Sequence, residues 1–311
     1  MPLHPQVEGL LQQMAAAGAK GFSEMTVDEC RQTFAGMLAG LPPSGAAIAS
    51  VIDRKIPGPG IDIPVRLYTP EGNGPFPILM FFHGGGFVIG DLETHDAVCR
   101  ELCAGSQAVV VAVDYRLAPE HPFPAAPDDC MAATRWAAAN AAEINGDAQR
   151  MAVSGDSAGG NLAAVVAQQS VQEGPMLCAQ LLIYPATCAD GTETPSMVEN
   201  ASGYLLERSD MDWFLGHYLP NESDRSIPRS SPIHNTNLAG LAPALVITAE
   251  YDPLRDEGEA YARAMQAAGV DVEISRYDGA IHAFYSFFPI LEQGRAAIDE
   301  SNRWLTQHLA P

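Results

Sequence analysis

The sequence predicts an α/β fold, a mostly parallel sheet with helices on both of its faces. Three observations carry this. First, short continuous apolar runs alternate with helical stretches from about residue 77 onward. A strand that is apolar on both faces must be covered on both, which helices flanking a parallel sheet achieve. Second, one such run passes into a helix through Gly155-Asp156-Ser157-Ala158-Gly159, a sharp strand-to-helix turn. Third, the chain has 311 residues of which 47% are hydrophobic, enough for one large core.

Taken in order, the N-terminal stretch spaces Val7, Leu10, Leu11 and Met14 along one helix face. A second helix starts at Thr26, with Glu29 three residues on as its capping-box partner. Val27, Cys30, Phe34, Met37 and Leu38 share a face of it, and Leu41-Pro42-Pro43 ends it. Two extended segments, Ala47–Ile56 and Ile61–Tyr68, flank the turn Pro57-Gly58-Pro59-Gly60 and predict an antiparallel hairpin. The buried strands follow: Pro77–Phe82, Ala108–Val113, Arg150–Ser154, Ala179–Tyr184, Ala244–Ala249 and Val272–Tyr277. Helices are predicted at Thr94–Gly105, Pro124–Asn140, Gly159–Gln172, Arg255–Ala267 and Ile290–Leu309.

About sixty residues separate Tyr184 from Ala244, far more than an ordinary connection needs. They contain a predicted helix, Asp210–Tyr218, with Ser209 as its N-cap and Met211, Phe214, Leu215 and Tyr218 on one side. This insertion is expected to join the N-terminal helices in a cap over the sheet's C-terminal edge. The expected division is residues 1–45 for the cap's N-terminal part, 46–187 and 239–311 for the catalytic domain, and 188–238 for the cap insertion.

A net charge of −21 argues against nucleic acid and anionic membrane as partners, both being polyanions. No apolar run reaches transmembrane length, and no basic segment followed by an apolar one opens the chain. The expected location is the cytoplasm. The six cysteines form no C-x-x-C and no zinc-ligand spacing with histidine, so neither disulfides nor a metal site is expected.

The chemistry concentrates in four places. In Gly155–Gly159 the glycines admit a turn too tight for side chains, leaving Ser157 at its tip beside a helix N-terminus. A serine N-cap on a glycine-rich turn would look the same. His83-Gly84-Gly85-Gly86, directly after a strand, offers backbone N–H groups that can approach an oxyanion with no Cβ in the way. The expected donors are Gly84, Gly85 and Ala158; His83 is read as structural. A phosphate-binding turn is disfavoured, because no Lys-Ser/Thr follows and no G-x-G-x-x-G forms.

A serine hydroxyl needs an imidazole to take its proton, and the imidazole needs a carboxylate to orient it. On a sheet bearing such a serine turn, acid and base follow the serine in chain order. Among eight histidines His282 stands in the loop directly after the last strand, and Asp252 follows the strand before it. Asp256, Glu257 and Asp278 are rivals for the acid. Asp128 and Asp129 are read as acids complementing a helix N-terminus. Phe87, Asp156, Trp213, Phe214 and Phe284 are candidate pocket residues.

These motifs resemble the hormone-sensitive-lipase-like esterases, bacterial family IV. The resemblance rests on His83–Gly86, the run from Asp114 to Ala126, Gly155–Gly160, Asp252–Glu257 and the His282 loop. It implies an α/β-hydrolase with an eight-stranded, mostly parallel sheet and a helical cap. It also implies cofactor-free hydrolysis of short- to medium-chain carboxylic esters, and a homodimer as one mode of assembly. Arg116 and Glu120 are implied to be structural. Phe87 stands where many relatives carry tryptophan, and Ala283 where many carry glycine. An amidase or lactonase on the same residues stays open, as does a ligand-binding protein, although receptor-type relatives usually lack the histidine found here at 282.

Overall fold

In the computed structural model, which describes residues 2–310, the described residues build one eight-stranded sheet. Its strands are β1 (Ser50–Pro57), β2 (Asp62–Thr69), β3 (Phe76–Phe82), β4 (Val109–Val113), β5 (Gly146–Asp156), β6 (Ala179–Ile183), β7 (Ala244–Tyr251) and β8 (Val272–Ile281). They lie in the order β1-β2-β4-β3-β5-β6-β7-β8. β1 and β2 form the antiparallel hairpin, β2 joins β4 antiparallel, and every later pairing is parallel. The helices are α1 (Pro5–Ala16), α2 (Val27–Ala39), α3 (Asp96–Ser106), α4 (Ala125–Ala139), α5 (Ala158–Glu173), α6 (Pro195–Glu199), α7 (Arg208–Tyr218), α8 (Arg255–Ala267) and α9 (Glu292–His308).

Strand alternation divides the core in two. Ile78, Met80 and Phe82 of β3 point to the layer holding α4, α5 and α8, whereas Leu79 and Phe81 point to the layer of α3 and α9. Every residue of β3, β4 and β6 is buried, as strands covered on both faces require. Because β3, β5, β6, β7 and β8 are neighbours and parallel, their C-terminal ends share one sheet edge. The glycine turn after β3, Ser157 after β5, Asp252 after β7 and His282 after β8 are therefore brought to that edge.

Several boundaries differ from the sequence expectation. β7 and β8 run on to Tyr251 and Ile281, so Asp252 and His282 follow their strands immediately. Asp278 and Gly279 interrupt the apolar pattern that would have revealed the end of β8. The helix of the insertion begins at Arg208, with Glu207 rather than Ser209 at its N-cap. Asp210 Oδ2 accepts the Glu207 N–H at 3.2 Å.

Two distant segments meet over the site. The short 3-10 turn Phe22–Glu24 docks on α7: Phe22 and Phe214 have ring centroids 5.6 Å apart, and the Ser23 N–H reaches Asp210 Oδ1 at 2.8 Å. Arg31 of α2 donates to Val88 O at 3.0 Å and Ala118 O at 3.1 Å and pairs with Glu120 at 2.7 Å. These bonds pin the helix to the loops after β3 and β4. α1 does not join this arrangement. Its Val7, with Leu3, Leu10 and Leu11, packs on the α9 layer, and the His4 N–H reaches Gly279 O at 3.0 Å. Among the described residues, no helix is long and apolar enough to cross a membrane.

Candidate active site

Ser157 joins β5 to α5 at φ 56° and ψ −117°, a region costly for any residue with a Cβ, by about 1–3 kcal/mol. The surroundings over-determine it. Its N–H donates to Ile183 O at 2.9 Å, and its carbonyl accepts from Asn161 N at 3.1 Å and Ala186 N at 3.2 Å. A Cβ on Gly159 would overlap the Phe82 carbonyl, and one on Gly155 would overlap Gly159. The flanking glycines are thus required by close backbone packing of the turn on β3.

The His282 Nε2 lies 3.0 Å from Ser157 Oγ, and its Nδ1 lies 2.7 Å from Asp252 Oδ2. Asp252 is fully buried, and its other oxygen accepts the Leu254 N–H at 2.8 Å. The carboxylate is fixed at both oxygens, the imidazole at one nitrogen, and the second nitrogen faces a hydroxyl. Such an arrangement can take the hydroxyl proton and stabilise the imidazolium that forms. Of the rival acids, Asp256 is held by Arg255 Nε and Ser196 N, both at 2.8 Å. Glu257 holds the backbone of Thr187 and Cys188.

The glycine turn departs from expectation at one residue. The Gly84 N–H is already spent on Asp156 Oδ1, at 2.8 Å in a buried setting. Gly84 is therefore not an available donor, and it does not line the cavity, whereas Gly85, Gly86 and Ala158 do. Gly85 and Gly86 have φ of 120° and 58°. A Cβ on Gly85 would strike the Ile89 carbonyl, and one on Gly86 would strike the Phe214 ring. Asp156 is thus the anchor of the turn as well as a cavity residue. Burial works to raise its pKa, but the His95 imidazole 3.2 Å away and the Gly84 N–H outweigh this and hold it below the ordinary range. His83, buried against Tyr115 with ring centroids 4.3 Å apart, is pushed down to about 4, chiefly by burial, so it stays neutral.

The cavity over Ser157 encloses about 950 Å³ including its mouth. Phe87 and Phe214 line it, and Phe87 stacks on Tyr218 at 3.7 Å. Trp213 and Phe284 do not line it. Trp213 lies edge-on to Phe214 and His217, and Phe284 is fully buried against Tyr184 and Tyr277. In their place stand Phe22 and Phe34 from the N-terminal segment. Asn161 and Glu257 also line the cavity, and sequence reasoning gave neither a place there. Burial pushes the Glu257 carboxyl up to about 8, against the pull of the Thr187 and Cys188 N–H groups.

Asp129 also has a different role from the one expected. It is fully buried and accepts the Arg116 N–H at 3.0 Å and two guanidinium bonds at 2.8 Å, tying the loop after β4 to α4. All six cysteines are free thiols. One grouping carries metal-ligating atoms within 4.8 Å of one another among the described residues: Cys188, Asp190 and His234. Sequence spacing could not show it, since 46 positions separate the outer two. The Cys188 thiol, pushed up to about 12 mainly by burial, donates to Asp190 at 3.2 Å, and His234 Nε2 lies 2.9 Å from the same carboxylate.

Comparisons with known proteins agree with this architecture. Residues 79–286 match the family profile described as alpha/beta hydrolase fold. The chain is 47% identical over 252 residues to the carboxylesterase NlhH of Mycobacterium tuberculosis, covering 79% of each chain. It is 37% identical to an ethyl acetate hydrolase of Pseudomonas putida, covering 99% of this chain and 100% of that one. Among solved structures, a thermostable esterase from Pseudomonas putida superposes with a TM-score of 0.96 at 38% identity, covering 100% of this chain and 98% of that one. An esterase from the archaeon Pyrobaculum calidifontis gives 0.94 at 44% identity, covering 99% of each. The chain belongs to the α/β-hydrolase fold family, in its hormone-sensitive-lipase-like branch of serine carboxylester hydrolases.

Proposed function

We propose that Ser157 is the nucleophile of this esterase, His282 its general base and acid, and Asp252 the group that orients the imidazole. One observation carries the assignment: a single imidazole bridges the Ser157 hydroxyl and a buried, doubly held carboxylate. Ser157 Oγ attacks the ester carbonyl as His282 Nε2 takes its proton. The oxyanion forms toward the N–H groups of Gly85, Gly86 and Ala158. His282 returns the proton to the departing alcohol, leaving an acyl-serine. Water then repeats the sequence, giving its proton to His282 and its hydroxide to the acyl carbon, and the acid leaves with Ser157 restored.

The test is stoichiometric labelling with diethyl p-nitrophenyl phosphate. One equivalent of p-nitrophenol should be released, with the diethylphosphoryl adduct on the peptide containing Ser157. An adduct on any other residue would remove the assignment.

Short to medium acyl chains suit the cavity, which is walled by Phe22, Phe34, Phe214 and Tyr218. The Pseudomonas putida relative named for ethyl acetate points the same way. Burying a methylene contributes about 0.8 kcal/mol, or roughly fourfold in kcat/KM. Across p-nitrophenyl esters from acetate to palmitate, kcat/KM should climb by about that factor per carbon, peak between butyrate and octanoate, and collapse by palmitate. The free thiols fit a reducing compartment such as the cytoplasm.

A further inference from the structure

One corner of the cavity is polar. There α5 and α8 both approach Pro185, at Gly160 and Gly258. Their neighbours Asn161 and Glu257 grip the segment that follows. Asn161 Nδ2 donates to Ala186 O and Ser230 O, both at 2.8 Å. Two carbonyl partners identify that atom as the nitrogen, so the amide oxygen is the other one, and it is buried with no hydrogen-bond partner. Glu257 repeats the pattern. Its Oε1 accepts from Thr187 N at 2.6 Å and Cys188 N at 3.2 Å, while its Oε2 is buried and unpartnered. Both residues are 2% exposed, and both line the cavity. A neutral carboxyl whose one oxygen already accepts two N–H groups carries its proton on the other. One unspent donor, Glu257 Oε2–H, and one unspent acceptor, Asn161 Oδ1, are therefore left on two residues that line the cavity.

We propose that this corner is a subsite for a hydroxyl group, making hydroxy-substituted carboxylic esters the preferred substrates. A hydroxyl can donate to Asn161 Oδ1 and accept from Glu257 Oε2–H, satisfying both atoms, whereas an alkyl chain leaves both unpaired. The inference rests on ester hydrolysis at Ser157.

Glu257 faces Asp252 at the end of β7, itself paired with His282, and faces Asp190 of the insertion with its partners Cys188 and His234. Ionisation near its value of about 8 would turn the donor into a second acceptor, and one hydroxyl proton cannot serve two acceptors.

The experiment compares kcat/KM within two pairs by pH-stat, ethyl 3-hydroxybutyrate against ethyl butyrate and 4-hydroxybutyl acetate against butyl acetate. The two pairs place the hydroxyl on the acyl or the alcohol side. At pH 6.5 the hydroxylated member of at least one pair should be favoured about tenfold or more. That ratio should decline through about pH 8 in the wild type. In Glu257→Gln, whose amide keeps both an acceptor and a donor, the preference should persist to pH 9.5. Taking ratios cancels any effect of pH that is common to both members of a pair. Equal rates within both pairs, or identical pH slopes in wild type and Glu257→Gln, would overturn the subsite. Undiminished cleavage of the parent esters by Ser157→Ala would instead overturn the reading of Ser157, so the two failures are distinguishable.

Discussion

Ser157→Ala should lower kcat for p-nitrophenyl butyrate by about 10⁴-fold or more while leaving the circular dichroism spectrum unchanged. The loss is large because, among the described residues, the hydroxyl hydrogen-bonded to His282 Nε2 is that of Ser157. The fold should survive because Ser157 is held through its backbone, by Ile183, Asn161 and Ala186. Alanine has the same Cβ and meets the same unfavourable φ. Turnover above that of water should remain in the variant, because Gly85, Gly86 and Ala158 stay in place to receive an oxyanion. Stopped-flow measurement should also show loss of any initial burst, since no acyl-enzyme can form.

Asp252→Asn should cost a comparable amount, about 10⁴-fold in kcat at neutral pH, with KM far less affected. The argument is geometric. Oδ1 of Asp252 accepts the Leu254 N–H, so an asparagine must place its oxygen there and its NH₂ toward His282 Nδ1. A donor facing Nδ1 forces that nitrogen to be the acceptor and moves the ring proton to Nε2. The imidazole would then point an N–H at Ser157 and could not take its proton. A kcat within tenfold of wild type would reassign the orienting role to another carboxylate.

The strands were legible because their chemistry is local. β3, β4 and β6 are continuous runs of buried residues, which only a sheet covered on both faces accommodates. The positions 157, 252 and 282 were legible because chain order and strand ends place them on one sheet edge. What the sequence hid depends on contacts between distant residues. Gly84 is removed from the donors by Asp156, 72 positions away. His95 precedes the serine, so chain order gives it no part among the reacting groups, yet its imidazole helps hold Asp156 charged. The order rule speaks of the reacting groups and not of those that support them. Phe22 and Phe34 reach the cavity while Trp213 turns away from it, a choice made when the N-terminal segment docks on α7. The orphaned oxygens of Asn161 and Glu257 became visible only once their other atoms had named partners.

The two helices nearest the N-terminus bury few residues. α1 buries only Val7 and α2 only Cys30, whereas α5 buries twelve of its sixteen residues. Opening free energies across the molecule should accordingly form a ladder. The amide protons of α2 would exchange with solvent through small local excursions, and those of β5 and α5 only through global unfolding. The doorway and the reacting centre thus have separate thermodynamics. The entrance can breathe to admit an ester and release its products while the imidazole, carboxylate and hydroxyl keep their spacing on the rigid edge below.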